Sequence, residues 1–292
     1  MKPTFFIIGA PKCGTTSLHE YLNSHSQITM SNPKEPHYFS LDIKNGGIRD
    51  YEKYLNCFAH GEKSSLAIGE SSTLYLYSKV AIQKIFEYDK DAKFIVMLRN
   101  PLEIARSFHQ VALKVFGEIE VDFQKAWSLQ DKRKLGKSIP MGCVDEQLII
   151  YGDIAKIGLQ VERLLSIVSP DRIHFVLYDD FKSSTKFEYM KILDFLNVPR
   201  EDFPSFKTHN KTYRIKNVAI TKVINYVSLL KKQMNINTRF NVANKIHKIN
   251  ITKEPLDKLS SKFLLEMDKF FDGDIRLLSK LIKKDLSKWR FS

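Results

Sequence analysis

Thr4-Phe5-Phe6-Ile7-Ile8-Gly9-Ala10-Pro11-Lys12-Cys13-Gly14-Thr15-Thr16-Ser17 decides the fold of this 292-residue chain. The run from Thr4 to Ile8 is short and apolar without alternation, the pattern of a strand buried on both faces of a parallel sheet. A Gly/Pro turn follows, and Thr16 to Asn23 then carries Leu18, Tyr21 and Leu22 at helical spacing. A loop between such a strand and such a helix can present successive backbone N–H groups and a positive helix end to an anion.

Two more segments repeat the first pattern. Lys93 to Leu98 reads as a buried strand running into Asn100-Pro101, a helix cap with proline at the first helical position. Ile173 to Tyr178 is a third strand, preceded by an apolar helical pattern from about Asp153 to Val168. Strands separated by helices predict a three-layer α/β fold, with a central, mostly parallel sheet flanked by helices. Ligands of such folds sit at the carboxyl ends of strands, which singles out Gly9 to Ser17 and Arg99 to Ser107. There is no internal repeat or low-complexity linker, so residues 1–292 read as one domain. Its last part, about 207–292, reads as a basic helical segment, with helices near Val218 to Gln233, Pro255 to Phe271 and Asp274 to Lys283.

The composition, 43% hydrophobic and 27% charged, excludes a disordered or fibrous chain. No run of 18 apolar residues exists, and the apolar start is too short for a signal peptide. Cys13, Cys57 and Cys143 lack metal-ligand spacing and cannot all pair, so a reducing cytoplasm is the expected location. The net charge is +13, unevenly spread. Residues 1–206 hold 26 basic and 26 acidic side chains, against 20 and 7 in residues 207–292. From Phe203 to Lys253 there is no Asp or Glu.

The first loop approaches the nucleotide-triphosphate pattern G-x-x-x-x-G-K-[ST], but Thr15 stands in the lysine position and Lys12 lies three residues earlier. The second strand ends in Arg99 instead of a magnesium-binding Asp. Arg99, with Ser107 two turns into the next helix, suits a second phosphate. Two anion sites at neighbouring strand ends imply a ligand phosphorylated at two positions, and neither requires a metal.

Pro11-Lys12-Cys13-Gly14-Thr15-Thr16-Ser17, together with Leu98-Arg99-Asn100-Pro101 and Ser107, resembles the paired signatures of sulfotransferases that use 3′-phosphoadenosine 5′-phosphosulfate. The resemblance continues through Tyr151-Gly152, Leu177-Tyr178-Asp179-Asp180-Phe181, Phe195-Leu196-Asn197-Val198 and Asp285-Leu286-Ser287-Lys288-Trp289. It implies that residues 11–17 bind the 5′-phosphosulfate, that Arg99 and Ser107 bind the 3′-phosphate, and that Lys12 neutralises the leaving phosphate. Cys13 reads as a space-filling residue.

Asn32-Pro33-Lys34-Glu35-Pro36-His37-Tyr38-Phe39 resembles the acceptor-site segment of heparan sulfate sulfotransferases and many bacterial relatives. The resemblance makes Glu35 the catalytic base and His37 a neighbour contacting the acceptor, with the choice of base between them open. Ile68-Gly69-Glu70-Ser71-Ser72-Thr73-Leu74-Tyr75 lines up with a segment carrying a catalytic lysine in heparan sulfate 3-O-sulfotransferases, and here that position is Ser71. Glu70 either orients the loop or the acceptor, or is a structural carboxylate paired with a base.

The loop His209 to Asn217 falls where sulfotransferases close a basic segment over the 3′-phosphate, with Arg214 and Lys216 as candidates. Lys231, Lys232, Arg239, Lys245 and Lys248 extend the positive tract. It is expected either to steer an acidic acceptor such as a glycan, or to hold the enzyme on the inner face of an anionic membrane beside a lipid-linked acceptor. No DNA- or RNA-binding signature accompanies the charge. The remaining alternatives are a P-loop kinase or NTPase and a non-catalytic membrane- or nucleic-acid-binding module.

Overall fold

Phe5–Gly9 forms strand β1, buried at every residue, in the middle of a five-stranded sheet. A computed structural model of the chain describes residues 1–62, 64–201, 214–215, 220, 251–252 and 257–290. The other strands are β2 (Ile28–Met30), β3 (Ala67–Ser71), β4 (Lys93–Leu98) and β5 (Ile173–Leu177). Their order is β2-β3-β1-β4-β5, and every pairing is parallel. This is the α/β architecture expected from the apolar runs. Two-residue strands β6 (Arg214–Ile215) and β7 (Ile251–Thr252) form a separate antiparallel pair.

From β1 the chain passes to β2 at the edge and returns through β3. It then crosses to β4 on the other side of β1 and continues outward to β5. Connections after β1 and β4 thus lead in opposite directions, which opens a crevice between the carboxyl ends of these adjacent strands. The helices that follow them are α1 (Thr15–Asn23) after β1, then α2 (Tyr51–Asn56), α3 (Ala81–Tyr88) and, after β4, α4 (Pro101–Val111). Asn100 caps α4, its side chain accepting from Leu102 N, with Pro101 at the first position as expected.

A π-helical turn, Ala112–Phe116, extends α4, and α5 (Phe123–Ser128) and α6 (Gln130–Lys134) follow. A buried clamp holds this region. Arg133 donates to both carboxylate oxygens of Glu118 at 2.6 and 2.9 Å and to Ile149 O at 3.0 Å, and the Tyr151 hydroxyl donates to the same carboxylate at 2.5 Å. Burial alone would raise the Glu118 pKa, but Arg133 and Tyr151 outweigh it and hold the carboxyl below its ordinary value.

Two helix expectations need correction. The pattern from Asp153 to Val168 is two helices, α7 (Tyr151–Ala155) and α8 (Ile157–Leu165), broken at Lys156. After α9 (Tyr178–Ser183) and α10 (Thr185–Leu196), the two closing helices expected around Gly273 are one, α11 (Ser261–Ile282). A glycine inside a helix costs only about 1 kcal/mol, and the buried stripe Phe263, Met267, Phe271, Ile275 and Leu278 outweighs it. Of the helix expected from Val218 to Gln233 only Ile220 lies within the described residues, and it is helical.

Candidate active site at the ends of β1, β3 and β4

The loop from Gly9 to Ser17 turns tightly out of β1. Gly9 (φ 138°) has no room for a side chain, since a Cβ would lie 2.6 Å from Thr73 O. Gly14 (φ 86°) caps α1 in the left-handed region against the Tyr178 ring. These two positions let the loop curl over the start of α1, with Lys12 on its crest. Burial and the neighbouring Arg99 charge push the Lys12 pKa below its ordinary value, partly offset by Glu35. An ammonium placed this way favours an incoming anion. Cys13 is fully buried, and burial pushes its thiol up to about 12, so it remains protonated filler.

Arg99 reaches across from the end of β4. It donates to Lys12 O at 2.9 Å, pairs with Glu103 at 2.6 Å and stacks on the Tyr178 ring at 4.5 Å. Ser107 lies on α4, its Oγ buried without a hydrogen-bond partner. An orphaned hydroxyl costs stability unless a ligand completes it, so Arg99 and Ser107 fit a phosphate.

The loop carrying Glu35 and His37 is held from β3. Glu35 (φ 61°) accepts from Lys34 Nζ at 2.8 Å and from Thr73 Oγ1 at 3.0 Å, and its Oε2 lies 2.9 Å from His37 Nε2. Burial alone would raise its pKa, but the Lys34 ammonium and the hydrogen bond from His37 hold the carboxyl well below the usual range. His37 Nδ1 is buried with no partner.

Glu70 resolves into a loop anchor. It is fully buried and accepts from Tyr54, Ser72 (2.6 Å) and Tyr75. Ser72 Oγ in turn accepts from His37 N at 2.9 Å, and the Tyr75 hydroxyl accepts from Phe39 N at 3.1 Å. Two hydroxyls thus connect one carboxylate to the backbone carrying Glu35 and His37. The alternative of a carboxylate paired with a base finds no support among the described residues. Ser71, at the lysine position of the 3-O-sulfotransferases, is fully buried with an unpartnered Oγ.

Pro11, Lys12, Gly14, Thr15, Thr16, Ser17, Glu35, His37 and Arg99 line one cleft of about 450 Å³. Cys13 and Ser107 are buried beside it. Tyr178, Phe181, Lys182 and Thr185 complete one end, and Phe108, Val111 and Phe116 form an apolar wall from α4 and its π turn.

Residues 2–272 match the family model described as the sulfotransferase domain. The chain belongs to the sulfotransferase family. It is 25% identical over 255 residues to carbohydrate sulfotransferase 15 of Mus musculus, covering 67% of this chain and 44% of that one. It is 31% identical over 113 residues to bifunctional heparan sulfate N-deacetylase/N-sulfotransferase 2 of Bos taurus, covering 37% of this chain and 13% of that one. The chain spans less than half the length of the curated relatives it matches. Among solved structures, a sulfotransferase from Alicyclobacillus acidocaldarius superposes with a TM-score of 0.73 at 24% identity, covering 100% of both chains.

In this sulfotransferase chain the sequence had singled out the polar loop residues and Arg99, about half of the cleft lining, and not its apolar wall or its far end. It missed Lys34, Thr73 and His19, which surround Glu35. Lys34 stood inside the quoted acceptor segment, but nothing marked it as the partner of its neighbour. Thr73 stood inside the quoted segment Ile68 to Tyr75 without a role, and His19 carries no sequence signal, because only the packing of α1 brings it there. Arg214 lies in β6, and Lys216 falls outside the described residues.

Proposed function

We propose that the protein transfers a sulfuryl group from 3′-phosphoadenosine 5′-phosphosulfate to a hydroxyl or amino group of a carbohydrate-type acceptor. The observation carrying this reading is the convergence of Lys12, Arg99 and Glu35 on one cleft at adjacent strand ends. Backbone N–H groups of residues 12–17 hold the 5′-phosphate, with Pro11 shaping the turn beside it, and Arg99 with Ser107 holds the 3′-phosphate once Arg99 releases Glu103. Arg214 and Lys216 belong to the segment that closes over it. The acceptor oxygen or nitrogen attacks sulfur as the sulfur–phosphate oxygen bond breaks in line. Glu35 takes the acceptor proton and Lys12 neutralises the departing phosphate oxygen. His37 orients Glu35. No residue is assigned to a metal. The basic segment steers an acidic or lipid-linked glycan to the cleft, in a cytoplasmic protein working at the inner membrane face.

The test is a melting curve with adenosine 3′,5′-bisphosphate and no magnesium. At about a hundred times the dissociation constant, binding adds about 2.7 kcal/mol, roughly 4 to 5 °C for a domain of this size. Arg99→Ala should remove most of that shift. Stabilisation by ATP with magnesium but not by the bisphosphate would instead make the chain a kinase or NTPase.

A further inference from the structure

Six of the fifteen exposed large hydrophobic side chains among the described residues fall between Val115 and Val144. Backbone contacts bring two stretches of this region together. Val144 N donates to Phe116 O at 3.1 Å, and a Cβ on Gly117 would lie 2.5 Å from Gly142 O. Cys143 N donates to Pro140 O at 3.0 Å, closing a turn that carries Met141. Met141 is 84% exposed and Leu135, on the same loop, 73%. Ordered loops seldom hold two large apolar side chains so fully in water.

The tip itself carries charge of one sign only, with exposed Asp131 and Glu146 just outside its two ends. No acidic residue occurs from Lys132 to Val144. Lys132 and Lys137 are exposed and form no ion pair among the described residues, whereas Lys134 pairs with Asp153. Left-handed residues at Gly136, Ser138 and Gly142 make the segment a tightly turned tip. An exposed, tightly turned apolar tip flanked by lysines matches a yielding surface, apolar beneath and anionic above, better than a rigid protein face, which needs a broad complementary area.

We propose that the loop from Lys132 to Val144 docks on an anionic lipid bilayer, with Leu135 and Met141 inserted among the acyl chains and Lys132 and Lys137 at the phosphates. Phe116, bonded to Val144, lines the cleft, so docking sets the cleft mouth at the headgroup layer. This loop shares no residue with the basic segment after residue 207, and binding through it needs neither donor nor turnover.

The experiment uses the full chain bearing Met141→Trp, mixed with phosphatidylcholine vesicles containing or lacking 30% phosphatidylglycerol. Trp127 and Trp289 are buried, so the new indole dominates any response. A blue shift and quenching by brominated lipid, in anionic vesicles only, are expected. Leu135→Asp/Met141→Asp, both at exposed positions, should lower vesicle affinity at least tenfold while the melting temperature stays unchanged. Pelleting with vesicles but no quenching of the indole would place the contact elsewhere and overturn the proposal. So would a wild-type dimer in sedimentation that Leu135→Asp/Met141→Asp dissociates, since the tip would then be a protein interface.

Discussion

Glu35 is already ionised and triply held before any acceptor arrives. Lys34, His37 and Thr73 fix its geometry, and its depressed pKa makes it a weak base. In a loose transition state, proton transfer lags behind bond breaking, so a well-placed weak base suffices. Glu35→Gln keeps the shape and loses the proton acceptor. Turnover should fall by about two to four orders of magnitude with bisphosphate affinity unchanged, and single-turnover rates together with titration calorimetry check both halves. Turnover at the wild-type rate would remove Glu35 from the role. His19 supplies a pH signature beside it. Burial and the Lys34 ammonium push its pKa down to about 4. The unfolded chain protonates this imidazole near pH 6.5, so it binds more protons than the folded chain between those values. Stability should therefore fall as pH drops from about 6.5 toward 4. The urea midpoint of His19→Gln should fall less over the same window.

Among the elements, legibility followed apolar continuity. β1, β4 and β5 are nearly pure apolar runs and stood out in the sequence. β3 did not, because Gly69 and Glu70 argue against a strand. Gly69 is there because a Cβ would lie 2.1 Å from the Phe5 ring, and Glu70 because the acceptor loop needs an anchor. β2, at three residues, is too short to carry a period. Gly273 suggested a helix end in α11, yet the next residue shows why the helix runs on. Asp274 is buried and accepts from Gly158 N at 2.8 Å and Leu159 N at 3.0 Å, capping α8 from more than a hundred residues away. Asp274→Ala leaves those amides buried without acceptors. A loss of about 1 to 3 kcal/mol is expected, read as a lower urea midpoint with an unchanged slope.

At the scale of the molecule, the paired strand-end signatures were legible because the site is built from segments that are short and contiguous in sequence. What the sequence could not convey was how they are supported. The hydroxyl relay from Glu70 and the clamp of Glu118, Arg133 and Tyr151 join residues that only the sheet and helix packing bring together. Lys12, Glu35, Glu70, Arg99 and Ser107 all lie within the first 107 residues. β1 has both neighbours, β3 and β4, once Leu98 has been made, whereas β5 is still 75 residues from synthesis. Until Ile173 emerges from the ribosome, β4 carries a bare edge of unpaired N–H and C=O groups along an apolar strand, a template for pairing with another nascent chain. A chain terminated at residue 170 should therefore collect in the insoluble fraction on expression, where the full chain stays in the supernatant.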